Sequence, residues 1–443
     1  MDRREFLKKA GLGAAVLGMG ACAPRVLKDE DDKSETVPDG KVVSHYDGVG
    51  LLGYGCMRWP VVKGEAGRSH IDQDEVNALV DYALEHGVNY FDTSPVYLEG
   101  DSERATAQAL NWHPRSEWLL ATKLSNFSDF SYDNSVKMYR KSLEIFNTDH
   151  VDYYLLHALS GGDDFRRRFG DTGIMDFLLK ERDAGHIHNL GFSFHGPESG
   201  FNELMALHEK YHWDFVQIQM NYVDWTHAGK GNASAKFLYN ELDSREIPII
   251  IMEPLRGGRL ADLPAALSDE LKARDPQSSL ASWAFRFVGS FPRVKCVLSG
   301  MTYMNHLQDN LSTFIGFKPL DEEEKEFLEI TAEKMENYPL VRCTGCQYCM
   351  PCPYGINIPA IFKFYNDNVN AGTYVVSKEQ QGYARTRRKY LLAYDKAIPS
   401  VRQADHCISC GRCVPACPQK IAIPRELRRI DNYIETLKRE DFQ

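Results

Sequence analysis

The chain has 443 residues, which is more than one ordinary domain holds and suits two to four domains. Hydrophobic residues make up 43% and charged residues 26%, which excludes wholesale disorder, collagen and a long coiled coil. A mean hydropathy of -0.41 excludes a polytopic membrane protein, and a net charge of -10 argues against nucleic-acid binding through a basic surface. The cysteines are unusual, because eight of the 11 lie between Cys343 and Cys417 at short intervals that favour metal binding over disulfides.

The first 23 residues resemble an export signal. Arg3 and Arg4 precede Phe-Leu-Lys, and an apolar run of small residues then extends to residue 23. This run is too short to span a bilayer, which takes roughly 20 apolar residues, but it has the length of a signal-peptide core. The arrangement resembles a twin-arginine signal, which carries folded proteins across the bacterial inner membrane. We therefore expect export to the periplasm.

The end of this segment predicts how the chain is processed. Cys22 closes a sequence that resembles a lipoprotein processing box, so we expect a lipid anchor there. Ordinary signal-peptidase cleavage after Ala23 is the alternative, and an amphipathic first helix of the fold is another. Residues 24–41 carry four consecutive acidic positions and few apolar groups, which predicts a flexible tether.

From about residue 42, short apolar or β-branched segments alternate with segments of helical periodicity. Helices are predicted at about 72–87, 102–112 and 133–147 among the connections. The predicted strands are residues 51–56, 88–92, 118–123, 151–157, 187–193, 215–219, 247–252 and 294–299. Eight such units favour a (β/α)8 barrel over a doubly wound open sheet, and no G-x-G-x-x-G fingerprint follows an early strand.

Three successive predicted strands end in an ionisable residue: Asp92, Lys123 and His157. Tyr97 follows the first of them in the next loop, and the strand ends of a barrel converge on its active face. A lone strand-end Lys or His is usually solvated or packed at the rim, but four convergent groups are harder to explain by packing. We expect Lys123 to stabilise the Tyr97 phenolate, Asp92 to hold Lys123 charged, and His157 to position a substrate oxygen. The predicted chemistry is proton donation to a carbonyl, completed by a hydride donor.

The segment NYFDTSPVYLEGDSERATAQAL resembles the aldo-keto reductase family, and the resemblance covers roughly residues 42–316. It implies carbonyl–alcohol interconversion with NAD(P), and it places the family's catalytic tetrad on Asp92, Tyr97, Lys123 and His157. It also implies that Ser193 and Gln217 contact the nicotinamide carboxamide and that the segment 252–258 flanks the cofactor. The full set of implied cofactor contacts is Ser193, Gln217, Pro254, Leu255, Gly257, Ser299, Gly300, Met301 and Asn310.

The residues after the eighth predicted strand do not distinguish NAD from NADP. Many family members carry Lys and Arg after the eighth strand for the 2′-phosphate of NADP, whereas residues 302–306 here read TYMNH. A dianionic phosphate usually requires Arg or Lys. Either NAD is preferred, or hydroxyls and His306 hold the phosphate, or another loop supplies the cation.

Two cysteine motifs near the end of the chain predict iron–sulfur clusters. Residues 407–418, CISCGRCVPACP, contain the C-x2-C-x2-C-x3-C-P run of bacterial ferredoxins, and residues 343–353, CTGCQYCMPCP, shorten its last interval. A zinc site, with two C-x-x-C pairs and usually four ligands in all, is the disfavoured alternative. In two-cluster ferredoxins the fourth cysteine ligates the other cluster. The predicted ligand sets are therefore Cys343, Cys346, Cys349 and Cys417 for one [4Fe–4S] cluster and Cys352, Cys407, Cys410 and Cys413 for the other.

The remaining cysteines and the aromatic residues of the barrel carry weaker signals. Cys56 and Cys296 lie on predicted strands and are expected in the core. Four aromatic residues are candidates for a substrate pocket that would suit sugar stacking, although packing is an equally ordinary role for them: Trp59, Phe127, Tyr222 and Trp225.

The predicted domains are a signal (1–23), a tether (24–41), a barrel (42–335) and a ferredoxin-type iron–sulfur tail (336–443). A reductase-like barrel with such a tail resembles a bacterial iron–sulfur subgroup of the aldo-keto reductases. We expect an exported oxidoreductase acting on a small carbonyl or alcohol, a sugar being one candidate. Its nicotinamide would be bound before export, and its clusters would exchange electrons with a redox partner or quinone. The alternatives are an electron-transfer protein with a catalytically silent barrel and a structural lipoprotein.

Overall fold

The structure is a computed structural model that describes residues 37–46, 48–63, 69–375 and 377–440. The predicted signal and residues 24–36 of the predicted tether lie outside these described residues. Within the described ranges, no helix is both long and apolar enough to cross a membrane.

The strands of the described chain are β1 (Leu52–Gly55), β2 (Val61–Lys63), β3 (Ser69–Ile71), β4 (Tyr90–Asp92), β5 (Leu119–Leu124), β6 (Val151–Leu159), β7 (Ile187–Phe194), β8 (Phe215–Gln219), β9 (Ile249–Met252) and β10 (Val294–Ser299). Eight of them form a closed parallel barrel in the order β1-β10-β9-β8-β7-β6-β5-β4. This confirms the predicted (β/α)8 fold. The sequence prediction missed the antiparallel hairpin of β2 and β3, whose short strands follow β1.

The helices are α1 (Gln73–Glu85), α2 (Ser102–Leu110), α3 (Tyr132–Phe146), α4 (Gly162–Phe165), α5 (Ile174–Asp183), α6 (Glu198–Ala206), α7 (His208–Tyr211), α8 (Ala235–Asp243), α9 (Ala265–Arg274), α10 (Leu280–Gly289), α11 (Met304–Phe314), α12 (Glu322–Glu336), α13 (Ile358–Asn370), α14 (Tyr383–Ala397) and α15 (Ile423–Arg439). The predicted helix at 72–87 is α1, which buries an apolar stripe of Val76, Leu79, Val80 and Ala83. Asp72 caps that helix by accepting a hydrogen bond from the Glu75 amide.

The barrel and the tail have separate hydrophobic cores. The barrel core extends through α12 to Met335, whereas a second cluster begins at Val341 and joins α13, α14 and α15. The division between these cores lies next to the predicted domain boundary at residues 335 and 336. Cys296 is buried inside the barrel and Cys56 in the surrounding core, as the sequence predicts.

The register of the strands determines which side chains share the carboxyl end of the barrel. Asp92 ends β4 and pairs with Ala121, while Lys123 pairs with Leu155 one strand further along. Ser193 and Gln217 are direct partners across β7 and β8. We call this end of the barrel, with the loops around it, the mouth.

Candidate active site and cluster ligands

A buried ion pair lies at the base of the mouth. Lys123 Nζ donates to Asp92 Oδ1 at 2.6 Å and to the Thr93 carbonyl at 2.8 Å. Burial raises the pKa of Asp92 and lowers that of Lys123, and their mutual contact opposes both shifts. Gln217 Nε2 donates to the other Asp92 oxygen at 3.2 Å. The predicted pairing of Asp92 with Lys123 is therefore present, and both side chains are held rigidly.

His157 is held through both its imidazole and its backbone. Its Nδ1 lies 2.6 Å from Ser125 Oγ, and Arg168 donates to its carbonyl oxygen at 2.8 Å. Burial, followed by the charges of Lys123 and Arg168, lowers the pKa of His157 well below its usual value. The imidazole is therefore neutral at neutral pH, and its Nε2 faces the mouth.

Tyr97 lies beside both of these groups. Its ring centroid is 5.8 Å from that of His157, and Lys123 Nζ is 5.0 Å from the centroid of the Tyr97 ring. The four predicted catalytic side chains thus converge. The expected lowering of the Tyr97 pKa is not observed, however, because burial raises that pKa well above its usual value and Tyr348 and Asp92 raise it further. Lys123 donates its hydrogen bonds to Asp92 and Thr93, which leaves the phenol protonated.

The side chains expected to contact the two ends of a nicotinamide cofactor also come together, but they already make hydrogen bonds within the chain. Ser193 Oγ accepts from the Ala158 amide at 2.8 Å, and Asn310 Nδ2 donates to Ser299 Oγ at 2.8 Å. These four side chains are nearly inaccessible to solvent, with Ser193 and Gln217 each 2% exposed. The other expected contacts lie in the loops after the last two strands: Pro254, Leu255 and Gly257 after β9, and Gly300 and Met301 after β10.

A stretch of the tail lies on those same loops. A methyl group built on Gly257 would be 2.2 Å from the Thr344 carbonyl oxygen, so the backbone at residue 344 packs directly on this glycine. Arg58 Nη2 donates to the Thr344 carbonyl at 2.5 Å, and the Arg58 side chain covers Gly300. A dinucleotide laid along these loops would overlap the tail. The residues that the family resemblance assigns to NAD(P) therefore do not form a free groove here.

Tyr348 is a site residue that the sequence analysis missed. Its hydroxyl lies 3.3 Å from His157 Nε2, and its phenol also contacts that of Tyr97. In the sequence it stands between two cysteines of a ligand motif, so nothing there distinguishes it from a spacer. Only the packing of the tail on the mouth brings it to the site.

The aromatic candidates divide between core and site. Trp59, Tyr222 and Trp225 are buried in the barrel core, so their role is packing. Phe127 is 42% exposed and its ring centroid is 5.0 Å from that of His157, so this residue does line the site.

The tail cysteines have thiol neighbours from both motifs. Burial raises the pKa of Cys346, and the thiols of Cys343 and Cys417 raise it further. Burial also raises the pKa of Cys413, and the thiols of Cys407, Cys410 and Cys352 raise it further. Cys417 thus acts on Cys346 of the first motif and Cys352 on Cys413 of the second, while Cys349 is affected by Cys413 as well as by Cys343 and Cys417. These residues fit the ligands of [4Fe–4S] clusters.

Comparisons with known proteins agree with this architecture. A model described as the aldo/keto reductase family matches residues 51–332, and one described as a 4Fe-4S dicluster domain matches residues 342–423. L-galactose dehydrogenase of Arabidopsis thaliana is 24% identical over 304 residues, which cover 64% of this chain and 90% of that protein. Methylglyoxal reductase DkgB of Salmonella typhi is 32% identical over 129 residues, covering 29% of this chain and 45% of that protein. The holo form of an aldo-keto reductase from Bacillus halodurans has a TM-score of 0.51 at 20% identity, covering 64% of this chain and 92% of that one.

The chain therefore belongs to the aldo/keto reductase family and carries a C-terminal 4Fe–4S domain. It is an oxidoreductase, as the names of its relatives also indicate.

Proposed function

We propose that this chain interconverts a small carbonyl compound and its alcohol at the mouth of the barrel, with Tyr97 exchanging the proton on the substrate oxygen. The convergence of Tyr97 and His157 above the buried Asp92–Lys123 pair is the observation that carries the proposal. Phe127 at the rim supports a substrate with a flat or apolar face.

The raised pKa of Tyr97 favours the direction of reduction. A protonated phenol is a donor at neutral pH, and the alkoxide that develops on a reduced carbonyl is a stronger base than a phenolate. His157 is neutral, and in the tautomer with its proton on Nε2 it donates a hydrogen bond to the same oxygen. Reduction of one carbonyl takes two electrons and two protons. The external redox partner supplies the electrons one at a time, Tyr97 supplies the proton on oxygen, and solvent supplies the proton on carbon.

The tail supports an electron supply from an external redox partner. Its two cysteine sets are the proposed ligands of two [4Fe–4S] clusters, and such a cluster carries one electron at a time. A periplasmic redox protein or a quinol is the class of partner that this supply implies. No nicotinamide step is part of the proposal, because the tail lies across the expected groove.

An anaerobic assay with reduced methyl viologen tests the proposed activity. The name of one relative, a methylglyoxal reductase, suggests methylglyoxal as the first probe within a panel of aldoses. We expect two viologen radicals to be consumed per carbonyl reduced. Tyr97→Phe should lower the rate by about 100-fold or more, since general-acid catalysis is typically worth that much. Tyr132→Phe, on the exposed start of α3, is the matched control and should keep the wild-type rate.

Two outcomes would overturn the proposal. Full turnover by Tyr97→Phe would remove Tyr97 from the chemistry. If viologen reduces the clusters but no carbonyl in the panel is consumed, the result would favour the alternative of an electron-transfer protein with a catalytically silent barrel.

We also propose that the chain is exported by the twin-arginine route and anchored by a lipid at Cys22. The arginine pair and the lipoprotein-like box support this, and clusters assembled in the cytoplasm require export of a folded chain. Replacing Arg3 and Arg4 together by Lys should retain the protein in the cytoplasmic fraction. Labelled palmitate should mark the wild-type chain but not Cys22→Ser, and labelling of both would place the lipid elsewhere.

A further inference from the structure

We infer that residues 342–348 of the tail take the place of a dinucleotide at the mouth, so that the folded chain binds no free NAD(P) there and Tyr348 becomes part of the reaction centre. The inference rests on the proposed function for the role of Tyr348. The absence of nucleotide binding is inferred only from the contacts of the tail with the barrel loops.

The first contact is with the loop after β9. Gly257 has φ +71° and packs against the backbone of Thr344, whose Cα, C and O atoms would all lie within 2.7 Å of a Cβ at this glycine. Even one added methyl group has no room there. A pyrophosphate is far larger than a methyl group, so it has no room between this loop and residue 344.

The second contact closes the neighbouring loop. Arg58, just after β1, donates to the Thr344 carbonyl, and its aliphatic carbons would lie 2.8–3.2 Å from a Cβ built on Gly300. One side chain therefore fills the space over the β10 loop and also ties down the tail segment. Its guanidinium donates to the chain itself rather than to a ligand.

The third contact brings the segment to the reacting groups. The Tyr348 hydroxyl lies 3.3 Å from His157 Nε2, the atom that the proposed function assigns to the substrate oxygen. Its ring is also edge-on to the imidazole, with centroids 6.3 Å apart. Tyr348 thus adds a second phenol, beside Tyr97, to the place where the substrate oxygen is expected.

The tail is tied to the barrel at further points. Arg342 Nη1 donates to the His227 carbonyl at 2.7 Å. Further along the tail, Asn232 Nδ2 of the barrel donates to the Pro418 carbonyl at 2.8 Å, and Gln219 and Gln419 exchange side-chain hydrogen bonds at 2.7 and 3.2 Å. These hydrogen bonds keep the tail against the barrel, and each buried hydrogen bond left unpaired would be costly.

Nucleotide content and binding test the inference directly. The full chain is purified anaerobically, its iron content and electron paramagnetic resonance establish that the clusters are present, and the molecules released on denaturation are identified by mass spectrometry. We expect no nicotinamide nucleotide. Calorimetric titration with NADH, and separately with NADPH, should show no saturable binding up to about 1 mM. A stoichiometric nucleotide released from the chain, or saturable binding of either probe below that concentration, would overturn the inference.

A pair of glycine variants tests the contact itself. Gly257 and Gly258 both have positive φ, +71° and +95°, so alanine strains the backbone at either position, but only Gly257 has the tail against it. Gly257→Ala should displace residues 343–345 and lower the iron content at least about two-fold relative to Gly258→Ala. Equal iron content and equal cluster spectra in the two variants would show that the segment does not lie on Gly257.

The outcomes separate this inference from the proposed function. If Tyr97→Phe keeps full turnover, the proposed chemistry fails while the nucleotide result is unaffected. If turnover depends on Tyr97 but NADH or NADPH binds, the proposed chemistry stands and the inference fails. Tyr348→Phe should lower kcat without restoring nucleotide binding, since the segment remains in the groove.

Discussion

At the scale of single residues, the mouth is built on charges that are almost completely removed from water. Lys123 is 1% exposed and Asp92 is 4% exposed, and each is the main charge partner of the other. Such pairs contribute little compared with apolar packing, but removing one member leaves an uncompensated buried charge. The pair therefore makes the barrel sensitive to single substitutions at its base.

Lys123→Met tests this dependence on a single partner. We expect the free energy of unfolding to fall by about 3–5 kcal/mol, because the Asp92 carboxylate loses its cation. Denaturant unfolding followed by tryptophan fluorescence measures the change. The double variant Asp92→Asn with Lys123→Met should recover part of the loss, and a double variant no more stable than Lys123→Met alone would contradict the pairing.

His157, which is buried, and His195, which is partly buried, predict how stability depends on pH. Burial lowers the pKa of His157 well below its usual value, and burial with the charge of Lys420 lowers the pKa of His195 to about 4. The unfolded chain binds protons below about pH 6.5 that the folded chain does not bind, so the free energy of unfolding should decrease as pH falls from that value. Stability above pH 6.5 should not depend on these groups. His195→Asn should show a shallower acid decline between pH 7 and pH 5.5 than the wild type, and identical slopes would exclude His195 as a cause.

At the scale of elements, α12 connects the two cores. It packs Leu328, Ala332 and Met335 against the barrel, and the tail core begins five residues after it ends. Its first turn is fixed by a capping box, in which Asp321 accepts from the Glu324 amide at 2.8 Å and the Glu324 side chain accepts from the Asp321 amide. The start of the connection to the tail is therefore specified locally.

Asp321→Ala should lower the free energy of unfolding by about 1 kcal/mol, because it removes the cap of α12. Asp133→Ala is the control, since Asp133 lies in the first turn of α3, where Ser131 supplies the cap. Thermal unfolding of both variants gives the comparison. Equal shifts for the two variants would show that the capping box does not stabilise the helix.

At the scale of the whole molecule, the tail and the barrel share hydrogen bonds at the mouth but have separate cores. Loss of the clusters should therefore act mainly on the tail. The loops that carry the cysteines have little apolar burial of their own, and metal-ligand binding is a large part of the stability of such loops.

Cys410→Ser, at the exposed ligand position, is expected to lower the iron content and to increase amide hydrogen exchange at 342–353 and 407–418 by at least about ten-fold. Amides of β5, β6 and β7 should keep their wild-type protection, because those strands lie in the barrel core. Increased exchange in these strands as well would show that the barrel depends on the clusters for its fold.

Much of this architecture could be predicted from the sequence because its signals are local. The alternation of β-branched runs with helical periodicity predicts all eight barrel strands, and the cysteine intervals predict the iron–sulfur domain. The strand-end positions of Asp92, Lys123 and His157 predict their convergence, since parallel strands of a barrel place their carboxyl ends together.

Other features depend on contacts between residues far apart in the chain. Burial, rather than the Lys123 ammonium, determines the pKa of Tyr97, and no motif reports how deeply a side chain is buried. Trp59, Tyr222 and Trp225 are residue types that suit a sugar pocket, but their side chains are buried in the barrel core.

The sequence by itself determined the (β/α)8 barrel and the C-terminal 4Fe–4S domain, because both follow from local patterns of residues. It also predicts the catalytic side chains and the cluster ligands. Only the tertiary structure decided what lies at the mouth. Thr344 meets Gly257 across 87 residues of chain, and Tyr348 meets His157 across 191. Such contacts depend on how two separate cores pack against one another, a relation that no local pattern encodes.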